Sequence, residues 1–378
     1  MAMPKVPGCS VPKTTQPRHC RSVILPKTIN NTLITIMMKM LNKFAAAALT
    51  IMAVTLAAAS DTAIFSHPTI ERHTFRTMGT VAGLAFCGID GQQAQKLFKQ
   101  ARNEFDQITA RANLYDPSSE LCRLNAIADR EPFICSPELY QLLTEARLAW
   151  RDSEGAFDIT ALPLMKMWGF YRKEHKSLPT VQDIEKNLAL TGLDKVVFDD
   201  QKRSVFFPVK GMQLDLGGIA KGYAVDRAMN AVSSQARRII IDLGGNLKLH
   251  DQTGQNFNIG IYDPLQNNRI ERTIQVSGGA ISTSGGYERF VTINNRRYSH
   301  IIDPVSGHPA DKHLAVTVIT PLAVRADWMS TAIFIRGAEL ARELVKKYPH
   351  TTVFIYKKPS EKSNRDFLLE IIKSPPEQ

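Results

Sequence analysis

Cysteine is scarce in this chain, with five among 378 residues, and two of them, Cys9 and Cys20, fall in the first 60. The remaining Cys87, Cys122 and Cys135 form an odd set without short paired spacing. They support neither a zinc site nor a disulfide scaffold, and leave room for one bridge in an oxidising compartment. The chain also lacks a Gly-x-Gly-x-x-Gly, a P-loop, a Gly-x-Ser-x-Gly and a Cys-x-x-Cys, which removes the common dinucleotide, NTPase, hydrolase and zinc signatures. Asp and Glu are missing from residues 1–60, which hold seven Lys/Arg; without that stretch the net charge falls from +11 to +4. The basic balance therefore belongs mostly to a leader and does not point to nucleic acid. No internal repeat or low-complexity tract follows it.

What the leader does contain is ordered like a secretory signal. Lys39-Met-Leu-Asn-Lys43 is a charged start, Phe44 to Leu56 an apolar run, and Ala57-Ala-Ala59-Ser60 a small-residue cleavage site. We read a signal peptide over about 37–59, with true initiation at Met37, Met38 or Met40 and residues 1–36 as an upstream extension. The apolar run is short for a bilayer span, so periplasmic release is expected, with an uncleaved inner-membrane anchor as the alternative. No cysteine stands at the cleavage site that ends the run, which argues against a lipid anchor. Residues 61–378 are read as one domain.

Within that domain Ala94, Leu97, Ala101, Phe105 and Ile108 recur at helical spacing over 92–112, and Leu139, Leu142, Leu143, Ala146 and Trp150 repeat the pattern over 137–150. A loop is expected over 153–170, broken by Gly155 and Pro163, and a small helix near 181–190. Strands are expected at 196–198, 204–208, 212–216, 237–242, 257–262, 271–276 and 287–293, with a hairpin turn at Asn294-Asn295. Helices from Lys221 to Ser233 and from about Ala323 to Arg336 interrupt them. The mixture is α+β, with a largely antiparallel sheet, packed helices and two lobes.

Five polar stretches are candidates for chemistry. In Asp215-Leu-Gly217-Gly218-Ile-Ala-Lys221-Gly222-Tyr223, a glycine pair lets the backbone turn tightly before a helix start that suits an anion; plain turn chemistry is the competing reading. Asp327, Ser330 and Thr331 share one helix face and offer hard oxygen donors of the kind Mg²⁺ takes, or simply bond to their own helix. His300 and Asp303 crowd a Pro-containing loop with Gly307. Ser282-Thr-Ser-Gly-Gly-Tyr-Glu288-Arg289 could form an anion-receptive loop or a hydrated turn. Asp242-Leu-Gly-Gly-Asn246 could face the first stretch or close a hairpin.

Taken in order with Met78-Gly79-Thr80, Tyr115-Asp-Pro-Ser-Ser-Glu120, Gly155-Ala-Phe157-Asp158, Pro163-Leu and Trp168-Gly-Phe170, these stretches resemble the ApbE family, the FAD:protein FMN transferases, over about residues 72 to 336. The resemblance implies a flavin cleft between the lobes. It implies an enzyme that uses Mg²⁺, takes FAD as substrate, and moves FMN to a Ser/Thr hydroxyl of an acceptor protein with release of AMP. Flavin and adenine-side contacts would come from Met78, Tyr115, Ala156, Phe157, Asp158, Asp215, Lys221 and His300. The metal would be held by Asp327, Thr331 and the carbonyl of Gly218. Ser330 stands where other members carry Asp, a departure within that set. His300 is the preferred catalytic group and Asp303 its rival. The acceptor would be an extracytoplasmic domain, such as one of a redox complex; nucleic acid is not expected, and membrane contact only through the leader or the acceptor. Two other readings share the pocket: an Mg²⁺-dependent FAD pyrophosphatase giving FMN and AMP, and a non-catalytic flavin-binding accessory protein.

Overall fold

A computed structural model of the chain describes residues 69–171, 177–266, 269–359 and 366–376. The leader, with its signal peptide at about 37–59, lies outside the described residues. In chain order the first elements are β1 (Ile70–Thr77), β2 (Thr80–Cys87), α1 (Gly91–Ala112), α2 (Glu120–Ile127), β3 (Phe133–Ile134), α3 (Pro137–Asp152), α4 (Leu162–Met167) and α5 (Val181–Ala189). Next come β4 (Val197–Asp199), β5 (Ser204–Phe206), α6 (Ala220–Val232), β6 (Arg238–Leu243), β7 (Asn246–Asp251), β8 (Phe257–Tyr262), β9 (Ile270–Val276) and β10 (Gly279–Gly285). The rest are β11 (Phe290–Ile293), β12 (Arg296–Ser299), β13 (His313–Thr320), α7 (Ala323–Arg336), α8 (Ala338–Lys347), β14 (Thr352–Lys357) and β15 (Leu368–Lys373).

Eight strands make one antiparallel sheet in the order β1-β2-β6-β7-β10-β13-β14-β15. The fold is thus the expected α+β mixture. On one face α1 packs on α6, α6 on α7, and α7 on β10 and β13. On the other, the β8–β9 ribbon lays Phe257 and Ile259 against Leu249 and Ile281, and Ile261 against Phe354 and Tyr356. Helix α1 buries the five residues whose spacing announced it. Helix α7 is buried nearly all round, and Trp328, Met329, Ile333 and Phe334 are almost wholly buried. Each such side chain contributes about 1.5–3 kcal/mol. A smaller core of Leu164, Trp168, Phe170, Ile293 and Ile302 ties α4 and the residues after it to the β11–β12 ribbon.

Several expectations are corrected. Residues 212–216 are extended but join no ladder: Asn125 bonds both the N–H and the carbonyl of Leu214, and Asp215 N–H goes to Ile159 O, so side chain and loop satisfy what a neighbouring strand would have satisfied. The 153–170 loop contains α4. The first half of the 282–289 stretch, Ser282–Gly285, belongs to β10, an inner strand, and its second half, 286–289, turns before β11. Asp242-Leu-Gly-Gly-Asn246 closes the β6–β7 hairpin, with Leu243 opposite Asn246. β7, β13, β14, β15 and α8 were not anticipated. The Asn294-Asn295 turn is as expected, both residues at positive φ (51° and 60°), between β11 and β12. Cys87, Cys122 and Cys135 are all free thiols.

Candidate active site

The site is built where α6 and α7 touch. Gly222 lies so close to α7 that a Cβ there would stand 2.3 Å from the Ala323 carbonyl oxygen and 2.8 Å from Asp327 Cβ. That closeness lets Gly222 N–H donate to Asp327 Oδ2 at 2.9 Å. Lys221, one residue earlier, places Nζ 3.6 Å from Asp327 Oδ1 and donates to Gly217 O at 3.1 Å. Asp226 fixes the pairing of the two helices: its oxygens accept from the N–H groups of Ala323 and Val324, at the free end of α7, and from Lys248. Burial pushes the Asp327 carboxyl up, opposed by the Lys221 ammonium and the Gly222 N–H.

Around this pair the backbone is closely packed. Asp215 Oδ1 accepts from Gly217 N–H at 2.8 Å, shaping the glycine turn, while its other oxygen accepts from the Tyr171 hydroxyl. A Cβ on Gly218 would lie 3.0 Å from the Phe157 ring and 4.0 Å from Thr331 Oγ1, so the glycine pair, Phe157 and α7 meet at one place. Ser330 is fully buried; its hydroxyl donates to Asp327 O and lies 2.8 Å from Ser284 Oγ, which is in turn 3.2 Å from Thr331 Oγ1. The Asn246 side chain lies beside the Asp327 carboxylate, and its Oδ1 is buried without a partner. Sheet register brings Met78 to the same end: the Met78-Gly79 turn joins β1 to β2, and a Cβ on Gly244 would strike the Thr80 side chain at 2.5 Å.

An aromatic and cationic cluster borders this site. Tyr115, 69% exposed, faces Tyr171 with ring centroids 5.8 Å apart, and Arg289 donates to the Tyr115 hydroxyl at 3.0 Å and to Phe170 O at 2.9 Å. His300 Nδ1 sits 3.0 Å from the Arg289 carbonyl oxygen. A carbonyl only accepts, so Nδ1 carries the proton and Nε2 keeps its lone pair. Desolvation lowers the His300 pKa to about 4, and the nearby Arg289 and Lys221 charges act in the same direction. Glu288, next to Arg289, is raised, first by desolvation and then by Asp327, with Lys221 opposing.

The structure therefore brings Gly218, Lys221, Asp327 and Thr331 together directly, with Phe157 packed on Gly218 and Asp215 shaping the turn. Ala156 is buried beside Phe157. Asp158 spends its carboxylate on Thr160 and on Leu193 N–H. Asp303 closes its own loop, accepting from Val305 N–H and the Ser306 hydroxyl. Tyr171, Arg289, Glu288, Ser284 and Asn246 were not singled out as site residues. Asn246 ends the Asp242 motif and Arg289 the Ser282 motif, yet only the fold shows which glycine turn faces which helix. Among the described residues no group of three or more His, Cys, Asp or Glu could hold a metal ion, so any cation here would rest on Asp327 together with neutral oxygens.

Comparison with known proteins gives a consistent result. A FAD:protein FMN transferase of Klebsiella pneumoniae (strain 342) is 31% identical over 314 residues, covering 82% of this chain and 93% of that one. One from Salmonella typhimurium is 29% identical over 280 residues, covering 72% and 80%. The crystal structure of the ApbE protein of Thermotoga maritima superimposes with a TM-score of 0.71 at 28% identity, covering 80% of this chain and 96% of that one. The family model described as ApbE matches residues 78–355, and the chain belongs to the ApbE family.

Proposed function

We propose that this protein transfers FMN from FAD to a Ser or Thr hydroxyl of an acceptor protein in an Mg²⁺-dependent reaction that releases AMP. The observation that carries the reading is the Lys221–Asp327 pair, 3.6 Å apart, where a buried carboxylate and a half-buried ammonium stand beside the Gly217-Gly218 turn. The relatives' activity supports it.

The donors fit a magnesium ion: one carboxylate (Asp327), one hydroxyl (Thr331) and the Gly218 carbonyl would hold it, all hard oxygens and few enough to leave positions for phosphate and water. Asn246 Oδ1, buried and unpartnered beside Asp327, is an acceptor for such a water. When bound, the ion would supply charge neutralisation on the pyrophosphate. Ser330, committed to Ser284 and its own helix, is assigned to positioning Thr331.

The chain's own groups account for the rest. Tyr115 and Tyr171 offer ring faces to an isoalloxazine, and Met78, Ala156, Phe157, Asp158 and Asp215 shape the cleft around FAD. The acceptor oxygen forms a bond to the phosphorus bearing riboflavin as the bond from that phosphorus to AMP breaks. His300 Nε2, with its lone pair free, takes the hydroxyl proton; Lys221 meets the charge that develops on the departing phosphate. His300 is preferred to Asp303 because Asp303 is occupied within its loop.

The signal-like leader supports a reaction outside the cytoplasm, with residues 61–378 as the working domain and an extracytoplasmic redox domain as acceptor. No helix among the described residues is long and apolar enough to cross a membrane. Incubating residues 61–378 with FAD, Mg²⁺ and extracytoplasmic proteins should fix flavin covalently on one of them, seen by mass and in-gel fluorescence. EDTA should abolish the transfer and Mg²⁺ restore it. Free FMN without an adduct would point instead to a pyrophosphatase, and unchanged FAD to an accessory binding protein.

A further inference from the structure

A concavity of about 760 Å³ is lined in part by the chain from Gly286 to Ser299. Tyr287, Phe290 and Ser299 line this groove, while their chain neighbours Glu288, Arg289 and His300 belong to the candidate site: Glu288 feels the Lys221 and Asp327 charges, and His300 Nδ1 meets the Arg289 carbonyl. The groove is apolar at its base and cationic at its edge. Leu178, Leu265 and Phe290 are 43%, 50% and 38% exposed, three large apolar side chains left to water around one depression. Exposed apolar groups gathered in one place mark an interaction site more often than isolated ones do.

The charge at its rim is mainly positive. Among the described lining residues Arg296, Arg297 and Lys358 stand against one acidic residue, Asp311, which Arg296 holds at 3.4 Å. Arg297 lies over the Phe290 ring, 4.5 Å from its centroid, so its guanidinium is carried at the lip above the apolar floor. Such a surface is matched by an extended segment with carboxylates beside a large apolar side chain.

We infer that this groove docks the acceptor protein through an acidic, apolar-anchored segment, and delivers the hydroxyl to be modified over the 286–300 stretch to His300. The inference deepens the transfer reading and rests on it for the identity of the occupant. The shared chain argues for that occupant: Phe290 and Ser299 in the groove are the sequence neighbours of Arg289 and His300, the group proposed to take the hydroxyl proton.

The test separates docking from transfer. A library of synthetic peptides, each with one Thr in randomised flanks, is passed over immobilised FAD-loaded protein, and the retained peptides are sequenced by mass spectrometry. Retention should enrich Asp and Glu together with a Leu, Phe or similar residue at least tenfold over the input. The double variant Arg296→Glu, Arg297→Glu, altered only at exposed positions, should lose that enrichment or turn it toward Lys and Arg while binding FAD as tightly as the wild type. A retained pool without acidic preference, or one unchanged by the charge reversal, would overturn the inference. So would a concentration-dependent dimer that the double variant abolishes, since the groove would then hold a second copy of the chain. With Mg²⁺ present, FMN adducts should appear on the retained Thr peptides. Acid-selective retention without any adduct would count against the transfer reading and leave the docking groove standing.

Discussion

At the scale of single residues, environment decides which polar groups can act. His300 is held neutral by desolvation and by cationic neighbours, so its acid limb should lie near its pKa of about 4 instead of near 6.5. The transfer rate should then be flat with respect to this group from pH 5.5 to 8, and His300→Ala should lose roughly 10²–10³ in rate with FAD affinity intact. Wild-type transfer by that variant would remove His300 from the mechanism. Asp242 is a different case. Burial raises its carboxyl to about 6, with Gly245 N–H pulling the other way. The folded chain therefore holds a proton that the unfolded chain gives up near pH 4, and stability declines as the pH climbs through that window. Asp242→Asn keeps an oxygen for Gly245 and removes the penalty. Above pH 7 it should melt later than the wild type, by up to roughly 2–3 kcal/mol, and the difference should vanish at pH 4.

At the scale of elements, the contact of α6 with α7 is the tightest in the site. Gly222→Ala forces Cβ into the Ala323 carbonyl and must part the helices or bend one. A cost of about 1–3 kcal/mol is expected in chemical denaturation, with a larger proportional loss of transfer because the Gly222–Asp327 hydrogen bond goes with it. The β11–β12 turn gives a gentler test. Asn295, at φ 60°, should be stabilised slightly by Gly and destabilised by about 1–2 kcal/mol by Val, measured by thermal melting. These elements also show how much could be read beforehand. α1, α7 and β8 announced themselves because each has a clear pattern or clear breakers at its ends. β13 and β14, inner strands with apolar residues facing both ways, have no alternation to reveal them. Residues 212–216 look like a strand by composition, but strand pairing is a property of the neighbour, and here Asn125 took the neighbour's place. The same limit applies to the site. Asp327, Lys221 and Gly218 were legible as motifs, whereas Tyr171 and Asn246 depend on which turns the sheet brings to one end.

At the scale of the whole molecule, helices cover one face of the eight-stranded sheet and a β-ribbon the other, and the candidate site lies on the helical side. Residues 61–378 contain every element of that arrangement. Protein beginning at residue 61 should therefore unfold in a single calorimetric transition and transfer flavin at the rate of chain that still carries residues 37–60. Exported protein should begin near Ser60 or Asp61 by N-terminal sequencing.

The Lys221–Asp327 contact has a thermodynamic corollary. In the unliganded molecule the ammonium and the carboxylate serve as each other's counter-ion. In the proposed reaction a diphosphate would claim the lysine and a divalent cation the aspartate, so either ligand alone would strand one charge, whereas the two together would exchange partners and leave neither stranded. Nucleotide and metal would then be coupled: whatever factor one adds to the other's affinity, the second must return to the first.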